Sequence, residues 1–99
     1  MSIHIIIDGY NLIRNSSSLR TLDLEDIQLG RDALVDMLTA YKRIKPHRVT
    51  VVFDGANAPT HAQRRQRING IELIFSRSGQ TADAVIKKMA SREREKSLV

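Results

Sequence analysis

The chain has 99 residues and a mass of 11.2 kDa, which allows one domain; with 41% hydrophobic and 27% charged residues it has the makeup of a globular protein. It contains no cysteine, which excludes a disulfide scaffold, a thiolate zinc site and a cysteine nucleophile. The net charge of +5 lies wholly in the second half: residues 1–59 carry seven basic and seven acidic side chains, residues 60–99 nine and four. That asymmetry points to a polyanionic partner, nucleic acid first, with an ordinary basic surface as the alternative. Apolar runs of four or five residues are too short to span a membrane, and Met1-Ser-Ile-His has no secretory n-region, so a cytoplasmic protein is expected.

Ile3-His4-Ile5-Ile6-Ile7 is a β-branched run stopped by Asp8-Gly9, as in a strand buried on both faces of a parallel sheet. Residues 14–25, with Ser16-Ser17-Ser18, show no period and read as a loop. Asp26 suits the cap of a helix over 27–44, with a stripe of Ile27, Leu34, Leu38 and Tyr41, neighboured by Val35, Met37 and Ile44, and with Pro46 as its stop. Gly30 marks a weak point in that helix or the end of a separate first turn. Val49–Phe53 is a second strand, again followed by Asp-Gly (Asp54-Gly55). Residues 56–70 read as a polar connection punctuated by Pro59 and Asn69-Gly70. Ile71–Phe75 is a third strand, Ser76–Gln80 a turn, and Thr81 the cap of a helix over 82–96. The order is that of an α/β fold with a parallel sheet. Ser97-Leu98-Val99 reads as the opening of a fourth strand, so the chain is expected to be a fragment of a longer product.

In parallel sheets functional groups gather at the carboxyl ends of the strands. Asp8 follows strand one, Asp54 follows strand two, and Asp83 lies in the first turn of a helix that begins at the same edge. Singly, each has an ordinary reading as turn chemistry or helix-dipole complement. Together, three carboxylates repel unless a cation holds them. Without cysteine or paired histidine, an all-oxygen site suits Mg2+ or Mn2+, which can activate water at a phosphodiester. Position 10 is Tyr, which rules out an Asp-x-Asp phosphatase; the chain also lacks the phosphate-loop, dinucleotide and serine-hydrolase signatures. His4, within an apolar strand, reads as structural, and His47 and His61 receive no role. Arg64, Arg65 and Arg67 are the candidates for phosphate contact, with a solvated loop as the alternative.

Ile5–Ile13 (Ile-Ile-Ile-Asp-Gly-Tyr-Asn-Leu-Ile), Gly30–Leu34, Val51–Gly55 and Thr81-Ala82-Asp83 together resemble the YacP-like branch of the NYN domains, relatives of PIN-domain nucleases. The resemblance implies a PIN-like three-layer α/β/α domain with a central parallel sheet, residues 1–99 forming its amino-terminal portion. It implies a metal-dependent ribonuclease in which Asp8, Asp54 and Asp83 hold the metal and Asn11 fixes a carboxylate or a metal-bound water. Gly9, Arg31 and Thr81 match family positions. Arg31 faces the acids or a phosphate, or is a plain surface arginine; Thr81 is first a helix cap. Tyr10 stacks on a base or is a half-buried loop residue. Relatives continue into a further strand bearing another acid, and the edge left without it favours pairing with a second copy of the chain. The leading expectation is an endoribonuclease acting on RNA, ribosome-associated RNA included. The alternatives are a catalytically inactive RNA- or ribosome-binding module and a 5′-nuclease-like enzyme acting on structured DNA.

Overall fold

The computed structural model describes residues 3–54, 64–76, 80–92 and 96–98. In chain order they form β1 (Ile3–Asp8), α1 (Gly9–Arg14), α2 (Ser17–Glu25), α3 (Ile27–Ile44), β2 (Arg48–Phe53), β3 (Arg64–Ile68), β4 (Ile71–Phe75), α4 (Ala82–Arg92) and β5 (Lys96–Leu98). One sheet of order β3-β4-β2-β1-β5 carries the molecule. β4, β2, β1 and β5 run parallel, while β3 pairs antiparallel with β4. The architecture has three layers, α1–α3 on one face and α4 on the other, as the two separate core clusters show.

Alternation along the strands creates the two faces. Val49, Val51, Phe53, Ile71 and Leu73 point to α1–α3 and close a core with Ile13, Leu19, Leu34 and Val35. Ile6, Val52 and Ile74 point the other way and meet Ala82, Val85 and Ile86 of α4. β2 is buried on both faces, which is why its sequence is a continuous β-branched run. Asp26 both ends α2 and begins α3. Its backbone N–H donates to the Leu22 carbonyl, and its carboxylate accepts from Gln28 N at 2.8 Å. The expected 27–44 helix is present and continuous through Gly30, which is buried. Its packed stripe is Leu34, Val35, Leu38 and Tyr41, whereas Met37 and Ile44 turn out to solvent.

Three expectations are corrected. Residues 14–25 are not a loop: α1 continues to Arg14 and α2 spans Ser17–Glu25, held down by Leu19 in the main core. Residues 64–68 are not connection but β3, an edge strand joined to β4 by the tight Asn69-Gly70 turn, with both residues at positive φ (52° and 81°). The final helix is described over Ala82–Arg92 and does not include Lys96, which with Ser97 and Leu98 belongs to β5 beside β1. The 56–63 stretch of the connection, with Pro59 and His61, lies outside the described residues, as do 77–79, 93–95 and Val99. Among the described residues, no helix is long and apolar enough to cross a membrane.

β1 runs into α1 without a loop, and Gly9 permits it. A methyl group there would lie 2.7 Å from Phe53 Cδ1 and 2.9 Å from Val51 Cγ1. Gly9 is therefore needed for close approach of helix to strand, rather than for a turn. In an unconstrained helix, glycine to alanine gains about 1 kcal/mol. Here Gly9→Ala is expected to lose about 1–3 kcal/mol through overpacking, read as a lowered urea midpoint at unchanged m-value. A gain in stability would show that the approach is slack.

Candidate active site

The carboxyl edge of the sheet places the predicted acids by register alone. Asp8 pairs with Val52, and Asp54 lies two residues beyond Val52, so both belong to the α4 face of adjacent strands. α4 begins over that face. Thr81 caps it, with Oγ1 accepting from Ala84 N at 3.1 Å, and Asp83 stands in its first turn. Asp8 is itself the cap of α1 and accepts from Asn11 N at 3.3 Å. Asp8, Asp54, Thr81 and Asp83 thus sit at the start of a helix or the end of a strand, on backbone fixed by the two cores.

These elements enclose an open cleft of about 210 Å³ lined by Asp8, Tyr10, Asn11, Arg14, Asp54, Thr81, Ala82 and Asp83. The three aspartates therefore share one cleft. They do not form a closed cluster: among the described residues, no three acidic or histidine side chains stand close enough to hold an ion together. The donors are all oxygen, from three carboxylates, an amide, a hydroxyl and a phenol. Such a set suits a hard cation that keeps several waters and takes one or two carboxylates directly. Asp83 Oδ2 is 3.0 Å from Lys87 Nζ, an i,i+4 pair whose side chains are 69% and 77% exposed. Solvent screening limits such a pair to about 0.3–0.5 kcal/mol, so it leaves Asp83 available to a stronger charge.

Asn11 is exposed at the mouth, its Oδ1 accepting from Asn15 Nδ2 at 3.4 Å. Tyr10 is half-buried, its ring tilted against Phe53 at 4.9 Å between centroids, so part of its aromatic face is committed to the core. The sequence reading does not single out Arg14 or Lys87. Arg14 follows Tyr10 by four residues on α1, one helical turn on. Reading Asp8 as a helix cap, with α1 continuing behind it, would place Arg14 at the cleft.

The arginines expected to serve this site stand elsewhere. Arg31, on α3, is behind Tyr10 and not on the cleft wall. It donates to Tyr10 Oη at 3.4 Å and to Gln28 Oε1 at 2.9 Å, and it lies 5.7 Å over the Phe75 ring. Its buried Nε meets no acceptor among the described residues. Arg64, Arg65 and Arg67 belong to edge strand β3, and the Arg64 side chain lies outside the described residues. Arg67 is exposed, and Arg65 lines a second cavity together with Glu72, its partner at 3.8 Å.

A model of the YacP-like NYN domain matches residues 5–99. The protein named "Uncharacterized protein YacP" from Bacillus subtilis (strain 168) is 33% identical over 86 residues, which is 87% of this chain and 50% of that protein. The crystal structure of a point mutant of Rae1 (YacP) from Bacillus subtilis superposes with a TM-score of 0.72 at 32% identity, covering 95% of this chain and 53% of that one. A second Rae1 (YacP) structure gives a TM-score of 0.69 at 32% identity, over 92% and 51%. The chain spans about half the length of these relatives. Family match, identity and superposition agree: the chain belongs to the YacP-like NYN domains, a nuclease-type family of PIN-like fold.

Proposed function

We propose that the cleft is the centre of a metal-dependent endoribonuclease that hydrolyses RNA phosphodiester bonds. The observation that carries the reading is the meeting of Asp8, Asp54 and Asp83, from three separate segments, with Arg14 on the wall of one open cleft. A passive RNA binder gains nothing from three carboxylates facing a phosphate, because each one repels it.

Asp8 and Asp54 are the residues that would hold Mg2+ or Mn2+, with Asp83 completing the set from α4. When bound, the ion supplies a more acidic water and offsets charge developing on the phosphate. The chain's own groups do the positioning. The N–H of Asn11 holds one oxygen of Asp8, which leaves the other for a cation. The Asn11 amide, at the mouth, orients a water or a ribose hydroxyl. Arg14 offers a guanidinium fork to a phosphate, which draws the backbone in and keeps it beside the acids. Tyr10, braced by Phe53 and Arg31, forms a wall against which a ribose or a base edge can rest. Thr81 keeps the first turn of α4, and so Asp83, at fixed height above the strands. The spread of the three acids, which among the described residues do not stand close enough to hold an ion together, supports a second reading, a binding module without chemistry.

Two outcomes are expected. With single-stranded RNA and Mn2+, Asp8→Asn, Asp54→Asn and Asp83→Asn each lower kcat/KM by at least about a hundredfold while the fold, read by circular dichroism, persists. Cleavage by all three at the wild-type rate overturns the assignment. Metal-independent, salt-sensitive RNA binding without cleavage establishes the binding module, and preference for flap DNA over RNA identifies a DNA enzyme. Arg14→Gln is expected to raise KM by about tenfold with a smaller fall in kcat, because its contact forms in the ground state too. A loss confined to kcat would place Arg14 in the transition state alone.

A further inference from the structure

A larger cavity, about 350 Å³, lies on the same face of the sheet, reaching from His4 and Arg48 at the amino ends of β1 and β2 to Gln80 and to Arg65, which pairs with Ile74 near the carboxyl end of β4. His4 is the second residue of β1, and its register partner Arg48 opens β2; both line this cavity, as do Arg65, Glu72, Lys88 and Arg92. Four cationic side chains thus surround one carboxylate, in a concavity where low-dielectric walls strengthen their field. The floor is a continuous polar chain. Thr50 Oγ1 donates to Glu72 Oε1 at 3.1 Å and therefore accepts from His4 Nε2 at 2.7 Å, so that nitrogen carries the proton. Glu72 in turn faces Arg65 at 3.8 Å, a separation that restrains the guanidinium while leaving donors for another acceptor. His4 and Thr50 are buried to 1% and 0% exposure, which makes this a built polar floor rather than a loose surface. The buried Oε1 of Gln80, on the same lining, meets no donor among the described residues, as happens where a cavity holds water or a ligand.

We infer that this cavity is a second phosphate-binding site, taking the backbone of a nucleic-acid strand on side chains separate from those of the aspartate cleft. The inference rests on the RNA reading above for the identity of the polyanion. Arginine-rich, concave and poor in aromatic side chains, the cavity fits a phosphodiester and offers no base-stacking platform. His4 and Asp8 share a face of β1 four residues apart, about 13 Å along the strand. One strand of a few nucleotides can therefore touch both sites. β3 contributes Arg65 to substrate contact here, from the outer edge of the sheet beside Ile74.

The test uses the whole chain in metal-free buffer with an oligouridylate of about a dozen nucleotides. Two readouts are taken: the imidazole signals of His4 by NMR, and affinity as a function of salt. RNA is expected to shift the His4 signals. Lys88→Gln combined with Arg92→Gln, both at exposed positions, is expected to weaken binding on the order of tenfold and to lower the salt slope by about 0.7 for each phosphate no longer neutralised. Unmoved His4 signals in the wild type, with RNA bound, overturn the inference whatever the variant does. So does an unchanged salt slope in a folded double variant, or failure of the wild type to bind RNA. A polyglutamate peptide that shifts His4 as strongly as RNA overturns the assignment to phosphate and makes the site an acidic-protein surface. Asp8→Asn separates the two readings: cleavage that survives it sinks the active-site assignment alone, while His4 shifts that survive it keep this site.

Discussion

The contact between Gly9 and Phe53 governs the carboxyl edge of the sheet, where the candidate site lies. Because Gly9 has no side chain, α1 can start on the last residue of β1 and lie directly on β2. That approach turns Asp8 into a helix cap, aims Tyr10 at the Phe53 ring, and carries Asn11 and Arg14 to the cleft. Phe53 continues the chain of contacts to Phe75, stacked at 5.4 Å, over which Arg31 lies. Arg31 then holds the Tyr10 hydroxyl from behind. An aromatic and cationic brace thus supports the wall of the site from the core side, without Phe53, Phe75 or Arg31 needing to enter the cleft.

The two faces of the sheet have different tasks. The face under α1–α3 is apolar along the strands and carries the larger of the two buried clusters. The α4 face is apolar only at its middle, where Ile6, Val52 and Ile74 meet the helix. Beyond that patch the same face becomes acidic at the carboxyl end of β1 and β2, with Asp8 and Asp54, and polar and basic at the amino end, with Arg48 and the chain from His4 to Glu72, while Arg65 reaches Glu72 from the outer edge. The uneven charge along the sequence therefore maps only partly onto space. Arg48, from the neutral first half, joins the basic cavity, and Asp83, from the basic second half, joins the acids.

The site is legible in the sequence where topology determines it. A carboxylate after each of two parallel neighbours and one in the first turn of a following helix are expected at the same edge, and Asp8, Asp54 and Asp83 line one cleft there. Helix α3 and the Thr81 cap are equally plain, because a long amphipathic stripe and a side-chain cap are local signals. α2 is hidden by its serines: Ser16 caps it without a side-chain bond, and its burial rests on Leu19, too little to show a period. β3 is hidden by its charge. An edge strand needs few apolar residues, and arginines there also discourage pairing with other chains. Asn69-Gly70 is the available signal, since two residues of that type between Ile68 and Ile71 specify a hairpin. Without that hairpin, a connection leaving the carboxyl edge at Asp54 keeps its arginines beside the acids; with it, they run along the outer edge of the sheet.

Helix α4 links the two ends. Its first turn presents Thr81 and Asp83 to the acidic cleft, and its last turns present Lys88 and Arg92 to the basic cavity. Eleven residues make a rod of about 16 Å, matched to the length of β1 beneath it. Ala82, Val85 and Ile86 lock that rod to Ile6, Val52 and Ile74, so it cannot slide without breaking the second core. The spacing between the acids and the basic cavity is therefore set by packing, not by a loop. For a flexible polyanion, charges held at a set separation on a rigid support cost the protein no ordering when the strand arrives. In the proposed reading, a strand held by Lys88 and Arg92 is presented to the acids in one register, so that the second contact serves as positioning for the first.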